Sequence, residues 1–472
     1  MKHFQLALTA LAAAVLTACG GGDSVSNGPT VDLSGNRGSL RATPALLTSL
    51  TPQQFQAAAP ASLFAVTGTP KCTVNFNYFQ YGTVGAKGEA TTASAGLMVP
   101  SGTDAACTGN RPVLLYAHGT TVDKKKNMAS PQDSEAALIA AMYAAQGYIV
   151  VAPNYAGYDA SPLPYHPYLV MDQQANDMVD ALTAARKGFA ATGASANSKL
   201  FVSGYSQGGY VSMATQRALQ LAGSPVTAGA HMSGPYALGR MGDAVYAGNV
   251  NLGGTVFSPL LTTAFQKAYG NIYSTPSDMY NDTFATGIET LLPGTLTTTE
   301  LFTTGKLPAT FMFEGTAPSA QFAPFFGSPA LIKTSYRQAV LADAATNPTN
   351  PQHPLRQAAY KNDLLSQNWT PAQPMLLCGG NADPTVFYAV NTQGAQAYFA
   401  GKGLPAQAVT VLDVDSTPTS AADPFAAAKV GFATVKASTA AAGGTSAVVQ
   451  AYHGSLVPPF CNAAARGYFS QF

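Results

Sequence analysis

"KLFVSGYSQGGYVSMATQRALQ" spans residues 199–220 and sets Ser206 between glycines in G-Y-S-Q-G. The β-prone run Lys199-Leu200-Phe201-Val202 leads in, and residues 207–221 carry helical spacing. A strand, a sharp turn and a helix would hold a serine hydroxyl out at the tip of the turn. The pattern alone is weak evidence. The chain has 45 glycines in 472 residues, and at ordinary serine content G-x-S-x-G then arises by chance roughly 0.2–0.3 times per chain. A serine hydroxyl is also a poor nucleophile unless a base lies within hydrogen-bond reach and a third group orients that base. The reading of Ser206 therefore depends on what the rest of the chain supplies.

Working outward, apolar runs alternate with helical ones. "TVNFNYF" (73–79) and "TASAGLMVP" (92–100) alternate in polarity like an antiparallel hairpin. "PVLLYAHG" (112–119), "YIVVAPNY" (148–155), "VTAGAHMSGP" (226–235), "PMLLCGG" (374–380) and "AVTVLDV" (408–414) read as buried strands. Helical patterns cover 134–146 and 169–187. Strands alternating with helices predict an α/β chain with a mostly parallel central sheet and helices on both faces.

An acid and a histidine follow the serine in chain order. "LLCGGNADPTV" sets Asp383 in a turn just past a buried strand, with Asp413 and Asp415 as rivals one strand later. His453, in "VVQAYHGSLVPPF", is expected in a loop; it is the only histidine after Asp383. Two backbone N–H groups must face a developing oxyanion. One is expected from Gln207, at the start of its helix. The other is expected from Thr120 or Thr121, in the loop "YAHGTT" after the first continuous apolar strand. His118 in that loop reads as a structural support.

The stretch 236–370 breaks the rhythm. Its aromatics (Phe257, Phe265, Phe302, Phe311, Phe313, Phe322, Phe325 and Phe326) with several Pro and Gly suggest an inserted cap with an apolar underside. Only 10% of the chain is charged and the net charge is +1, so a nucleic-acid partner is not expected. No C-x-x-C or histidine cluster points to a metal.

The N-terminus reads as an address. Phe4–Leu16 is apolar but too short to span a bilayer. Leu16-Thr17-Ala18-Cys19 resembles the lipobox of bacterial lipoproteins, which implies lipidation of Cys19, a membrane contact through that N-terminus and an outer-membrane lipoprotein, or otherwise a periplasmic or secreted protein. Residues 20–42 are rich in Gly, Ser and Asn and read as a tether. Export permits disulfides, and the expected pairs are Cys72–Cys107 and Cys378–Cys461, each closing a local region. The expected organisation is a signal segment over 1–18, lipidated cysteine and tether over 19–60, a core over 61–235 and 371–472, and the cap over 236–370.

The run "YAHGTT…APNYAGYDASPLPYHPYLVMDQQANDMVDALTAARK…SGYSQGG" resembles the secreted α/β-hydrolases grouped with the capped secretory lipases. Their H-P-Y-L segment is matched by His166-Pro167-Tyr168-Leu169. The resemblance covers roughly 70–235 and 371–461. It implies an α/β-hydrolase fold with a helical cap, hydrolysis of carboxylic esters (with lipid, small-ester and polyester substrates all open), no cofactor, and Ser206, Asp383 and His453 as triad. Residues 416–448 depart from it, being longer than expected before His453. An apolar acyl group is the expected substrate partner. Two other readings stand beside this one: a capped serine peptidase, for which Asp243, Asp278, Asp282, Glu289, Glu300 or Glu314 would bind an amine, and a non-catalytic surface-binding lipoprotein.

Overall fold

The computed structural model describes residues 36–58, 61–420 and 422–472. The signal segment and Cys19 lie outside the described residues. The strands are β1 (Ala45–Leu50), β2 (Thr73–Val84), β3 (Ala90–Ser101), β4 (Arg111–Ala117), β5 (Ile149–Pro153), β6 (Ala196–Tyr205), β7 (Ala228–Met232), β8 (Met375–Gly379) and β9 (Val409–Asp413). They form one sheet in the order β1-β2-β3-β5-β4-β6-β7-β8-β9. The β1–β2, β2–β3 and β3–β5 pairs are antiparallel. From β5 through β9 every pair is parallel.

The continuous apolar runs have a simple cause. Successive strand residues point to opposite faces, and here both faces are covered. Leu114, Val150, Phe201 and Leu376 pack beneath the helices Ser134–Met142 and Val457–Phe469. Their neighbours Leu115, Val151, Val202 and Leu377 pack against the helices Met171–Thr192 and Gln207–Leu221. Leu376 is fully buried, and truncating such a leucine to alanine costs about 2–5 kcal/mol.

Between β7 and β8 the chain forms the helices Leu238–Ala247, Gly254–Tyr269, Thr334–Thr346 and Pro354–Lys361 with shorter turns. Their apolar residues, among them Tyr246, Leu260, Phe265 and Leu355, join the second of those two cores. This segment therefore rests on the sheet and shares its core.

The tether expected over 19–60 ends earlier. Ala45–Leu50 pairs antiparallel with β2 as the edge strand, and Pro52–Ala58 is a helix that buries Phe55. The strand keeps Leu46 and Leu47 exposed, which hid its pairing from a reading based on polarity. Cys72 is bonded to Cys107, and Cys378 to Cys461. The second bond ties the end of β8 to the helix Val457–Phe469.

Candidate active site

Ser206 sits between β6 and its helix at φ 60°, ψ −123°. A non-glycine residue at positive φ costs on the order of 1–3 kcal/mol and persists only where its surroundings impose it. Here the glycines impose it. A Cβ on Gly208 would lie 1.9 Å from the Ala117 carbonyl oxygen, and one on Gly204 would lie 2.3 Å from the Gly208 carbonyl oxygen. The turn is thus pressed against the end of β4, which brings the H-G loop beside it. The Gln207 N–H opens the following helix, among the groups a helix leaves without an internal acceptor.

Three side chains from distant parts of the chain meet at this turn. His453 Nε2 lies 2.7 Å from Ser206 Oγ, and His453 Nδ1 lies 2.6 Å from Asp383 Oδ2. Asp383 follows β8, and its Oδ1 accepts from the Thr385 and Val386 N–H groups at 2.8 and 3.0 Å. Those bonds aim the second oxygen at the imidazole. The rival acids are engaged elsewhere. Asp413 accepts from Asn381, while Asp415 accepts from the Lys436 ammonium and from Tyr452 OH.

His453 is not in a loop. It sits in a π-helical turn, Tyr452–Leu456, between the helices Ala426–Ala451 and Val457–Phe469. The wide turn interrupts what would otherwise be continuous helix, a feature common at functional positions. Tyr205 OH donates to the His453 carbonyl at 2.6 Å, and Asp415 holds Tyr452 from below at 2.6 Å. The extra length of 416–448 is mostly the first of these helices, which changes direction at Gly443-Gly444.

A family model described as secretory lipase matches residues 125–279. The structure of a rice cell wall degrading esterase, LipA from Xanthomonas oryzae, is 32% identical, covering 84% of this chain and 95% of that one, with a TM-score of 0.66. The chain belongs to the secretory lipase/esterase family. It is a carboxylic ester hydrolase. A ligand-bound form of the same Xanthomonas oryzae esterase is 28% identical over 91% of this chain and 97% of that one, with a TM-score of 0.71. A Legionella pneumophila structure at 18% identity covers 79% of this chain and 91% of that one at a TM-score of 0.64, and shares the α/β-hydrolase fold alone. No curated protein sequence matches this one.

In this esterase the H-G loop is held from several sides. Glu135 accepts the Gly119 N–H at 3.0 Å and Tyr116 OH at 3.1 Å, and buried Lys126 binds Asp133 and Glu135 at 2.9 and 3.1 Å. Thr120 Oγ1 lies 2.8 Å from Tyr168 OH. Thr121 is occupied by the loop itself, its Oγ1 accepting from Asp123 N–H and its carbonyl from Tyr158 OH. His118 stacks on Tyr155 at 4.1 Å, and burial pulls its pKa down to about 3. It is a neutral support for the loop and lies away from the Ser206–His453 contact.

Two cavities share Ser206 in their lining. One, of about 120 Å³, is lined by Gln207, Leu238, Met241, Phe257, Leu261 and Val386 among others. The other is a groove of about 720 Å³ with a mixed polar and apolar lining that includes His453 and the loop after β4. Thr120 lines both. Of the eight phenylalanines singled out in the sequence, Phe257 alone lines the apolar cavity. Phe326 packs instead against Phe313, with the Arg337 guanidinium over both rings. Sequence reasoning missed Glu135, Tyr205, Tyr168 and Tyr452. Tyr205, which immediately precedes Ser206, and Tyr168, which lies in the H-P-Y-L segment, had a local signal; Glu135 and Tyr452 had none.

Proposed function

We propose that this esterase cleaves esters of short apolar acids through an acyl-enzyme on Ser206. His453 takes the serine proton as Oγ attacks and returns it to the leaving alcohol, while Asp383 fixes the imidazole tautomer and stabilises its charge. The Gln207 and Thr120 N–H groups receive the oxyanion. The observation that carries this reading is the unbroken chain from Ser206 Oγ through His453 to Asp383, at 2.7 and 2.6 Å.

Chain length follows from the cavity. At about 120 Å³ it is close to the roughly 150 Å³ apolar cavity that holds one benzene, so an acyl group of a few carbons fits. The peptidase reading lacks a free carboxylate in this pocket. Asp243 is the one candidate that lines it, and it is held by Arg356 at 2.7 Å and by Tyr360 OH at 2.9 Å. Hydrolysis of p-nitrophenyl esters of increasing acyl length, beside aminoacyl anilides, tests both readings. A preference for anilides, or a Ser206→Ala variant as active as the wild type, would overturn the proposal.

Export is part of the same reading, supported by two disulfides and a secretory family. Anchoring through a lipidated Cys19 is proposed from the lipobox-like residues. A Cys19→Ser protein that still fractionates with membranes would remove that part alone.

A further inference from the structure

His453 carries a carbonyl that its own helix does not serve. In the turn Tyr452–Leu456 the Val457 N–H closes back on the Tyr452 carbonyl, five residues earlier. The same register would set residue 458 against His453 and residue 459 against Gly454. Both are prolines, and proline has no N–H to give. The tighter α-helical spacing offers His453 only the Val457 N–H, which Tyr452 has taken. Main-chain carbonyls withdrawn from water need a donor from somewhere. Tyr205 supplies it: its hydroxyl donates to the His453 carbonyl oxygen at 2.6 Å. Resting on the triad reading above, we propose that Tyr205 is a positioning residue for the reaction. Its hydroxyl stands in for the missing helical donor, and so sets where the His453 backbone, and with it the imidazole, lies relative to Ser206.

The surroundings of Tyr205 suit that task. It ends β6 and immediately precedes Ser206, so the nucleophile and the donor that fixes its base are neighbours on one backbone. The phenol is buried, and its ring lies 5.2 Å from the imidazole, centroid to centroid. Burial first, and then the charge of Asp383, push the hydroxyl well above the ordinary tyrosine range. It therefore remains a proton donor wherever the enzyme works. The demand on its placement is strict. The imidazole must meet Ser206 at 2.7 Å and Asp383 at 2.6 Å together, and a misplacement of about 1 Å in such a geometry costs on the order of 100-fold in rate.

Tyr205→Phe removes the hydroxyl and keeps the ring. With p-nitrophenyl butyrate it should lower kcat about tenfold at little change in KM, because Tyr205 does not line the apolar cavity. Titration with a serine-reactive phosphonate puts each rate on the basis of folded, reactive enzyme. Pro458→Ala returns an N–H five residues after His453. Added to Tyr205→Phe, it should bring kcat to within about threefold of Pro458→Ala alone, the fourth corner of a double-mutant cycle. A hydroxyl that served stability only would lower the melting temperature and leave kcat per titrated site unchanged. That result would overturn the proposal, and so would a loss confined to KM. A double variant no faster than Tyr205→Phe would overturn the assignment to the His453 carbonyl. No p-nitrophenol release by the wild type above that of Ser206→Ala would instead overturn the triad reading on which the proposal rests.

Discussion

Gln207 donates its side-chain Nε2–H to His166 Nε2 at 2.7 Å. The direction follows from the other ring nitrogen. His166 Nδ1 lies 2.8 Å from the Ala156 carbonyl, which only accepts, so Nδ1 carries the proton. Burial holds His166 neutral, with its pKa pulled down to about 3. A bare Nε2 therefore fixes the amide of the residue whose backbone N–H is the proposed oxyanion donor. His166→Phe should lower kcat about 10- to 100-fold with little change in KM. His166→Gln, which retains an acceptor, should recover part of the loss. Steady-state kinetics on both variants checks this, and a change confined to KM would contradict it.

The acid assignment predicts a ranking. Asp383→Asn should reduce kcat by roughly 10⁴ through loss of tautomer control. Asp413→Asn should be mild. Asp415→Asn should act mainly on stability, because it releases Lys436 and Tyr452. Turnover and thermal melts on the three variants separate these effects.

Acyl preference should follow the cavity and ignore the phenylalanines beyond it. Met241→Ala lengthens the pocket and should raise activity on longer acyl chains, whereas Leu261→Phe should shift preference to shorter ones. Each methylene is worth roughly 1–3 kcal/mol in such a pocket. Phe325→Ala and Phe326→Ala should leave the profile unchanged, since neither lines it. Relative kcat/KM across p-nitrophenyl acetate to octanoate reads the outcome.

Stability should fall in acid. Burial lowers His118, His166 and His231 to about 3. Their folded pKa values lie below the unfolded value, so stability is lost as pH falls from about 6.5 towards 3. At pH 5 each contributes a loss of about 2 kcal/mol. Asp177 opposes this: burial raises it to about 7, so its contribution is lost as pH rises from about 4 to 7. Denaturant melts should therefore show a net decline from pH 7 to pH 5, steeper in Asp177→Asn, which lacks the offset.

What the sequence made legible was local. Ser206 sits in a short motif and Asp383 just past a strand end, while His453 is marked only as the one histidine after Asp383. Their chain order needs no knowledge of packing. The turn that holds His453 was not legible, because nothing in "QAYHGSLVPP" separates a loop from a wide helical turn once Tyr205 and Asp415 are unknown neighbours. The partnership of Gln207 with His166 spans two elements and depends on the stack His118–Tyr155–His166. The strand Ala45–Leu50 was invisible because its outer leucines stay in water. The cavity lining depends on which residues between β7 and β8 face inward, a packing outcome that aromatic content does not encode.

The bond between Cys378 and Cys461 joins β8, whose end leads into the turn of Asp383, to the helix Val457–Phe469, which directly follows the turn that holds His453, across a sequence separation of 83. Closing a loop of that length is worth roughly 4–5 kcal/mol, mainly by constraining the unfolded chain. A reduced chain has Ser206, Asp383 and His453 but lacks the covalent tie between the segments that present the last two. Protein folded without oxidant should accordingly bind substrate yet turn over slowly, and recover on air oxidation. Once closed, the clasp is shielded, since both sulfurs are fully buried.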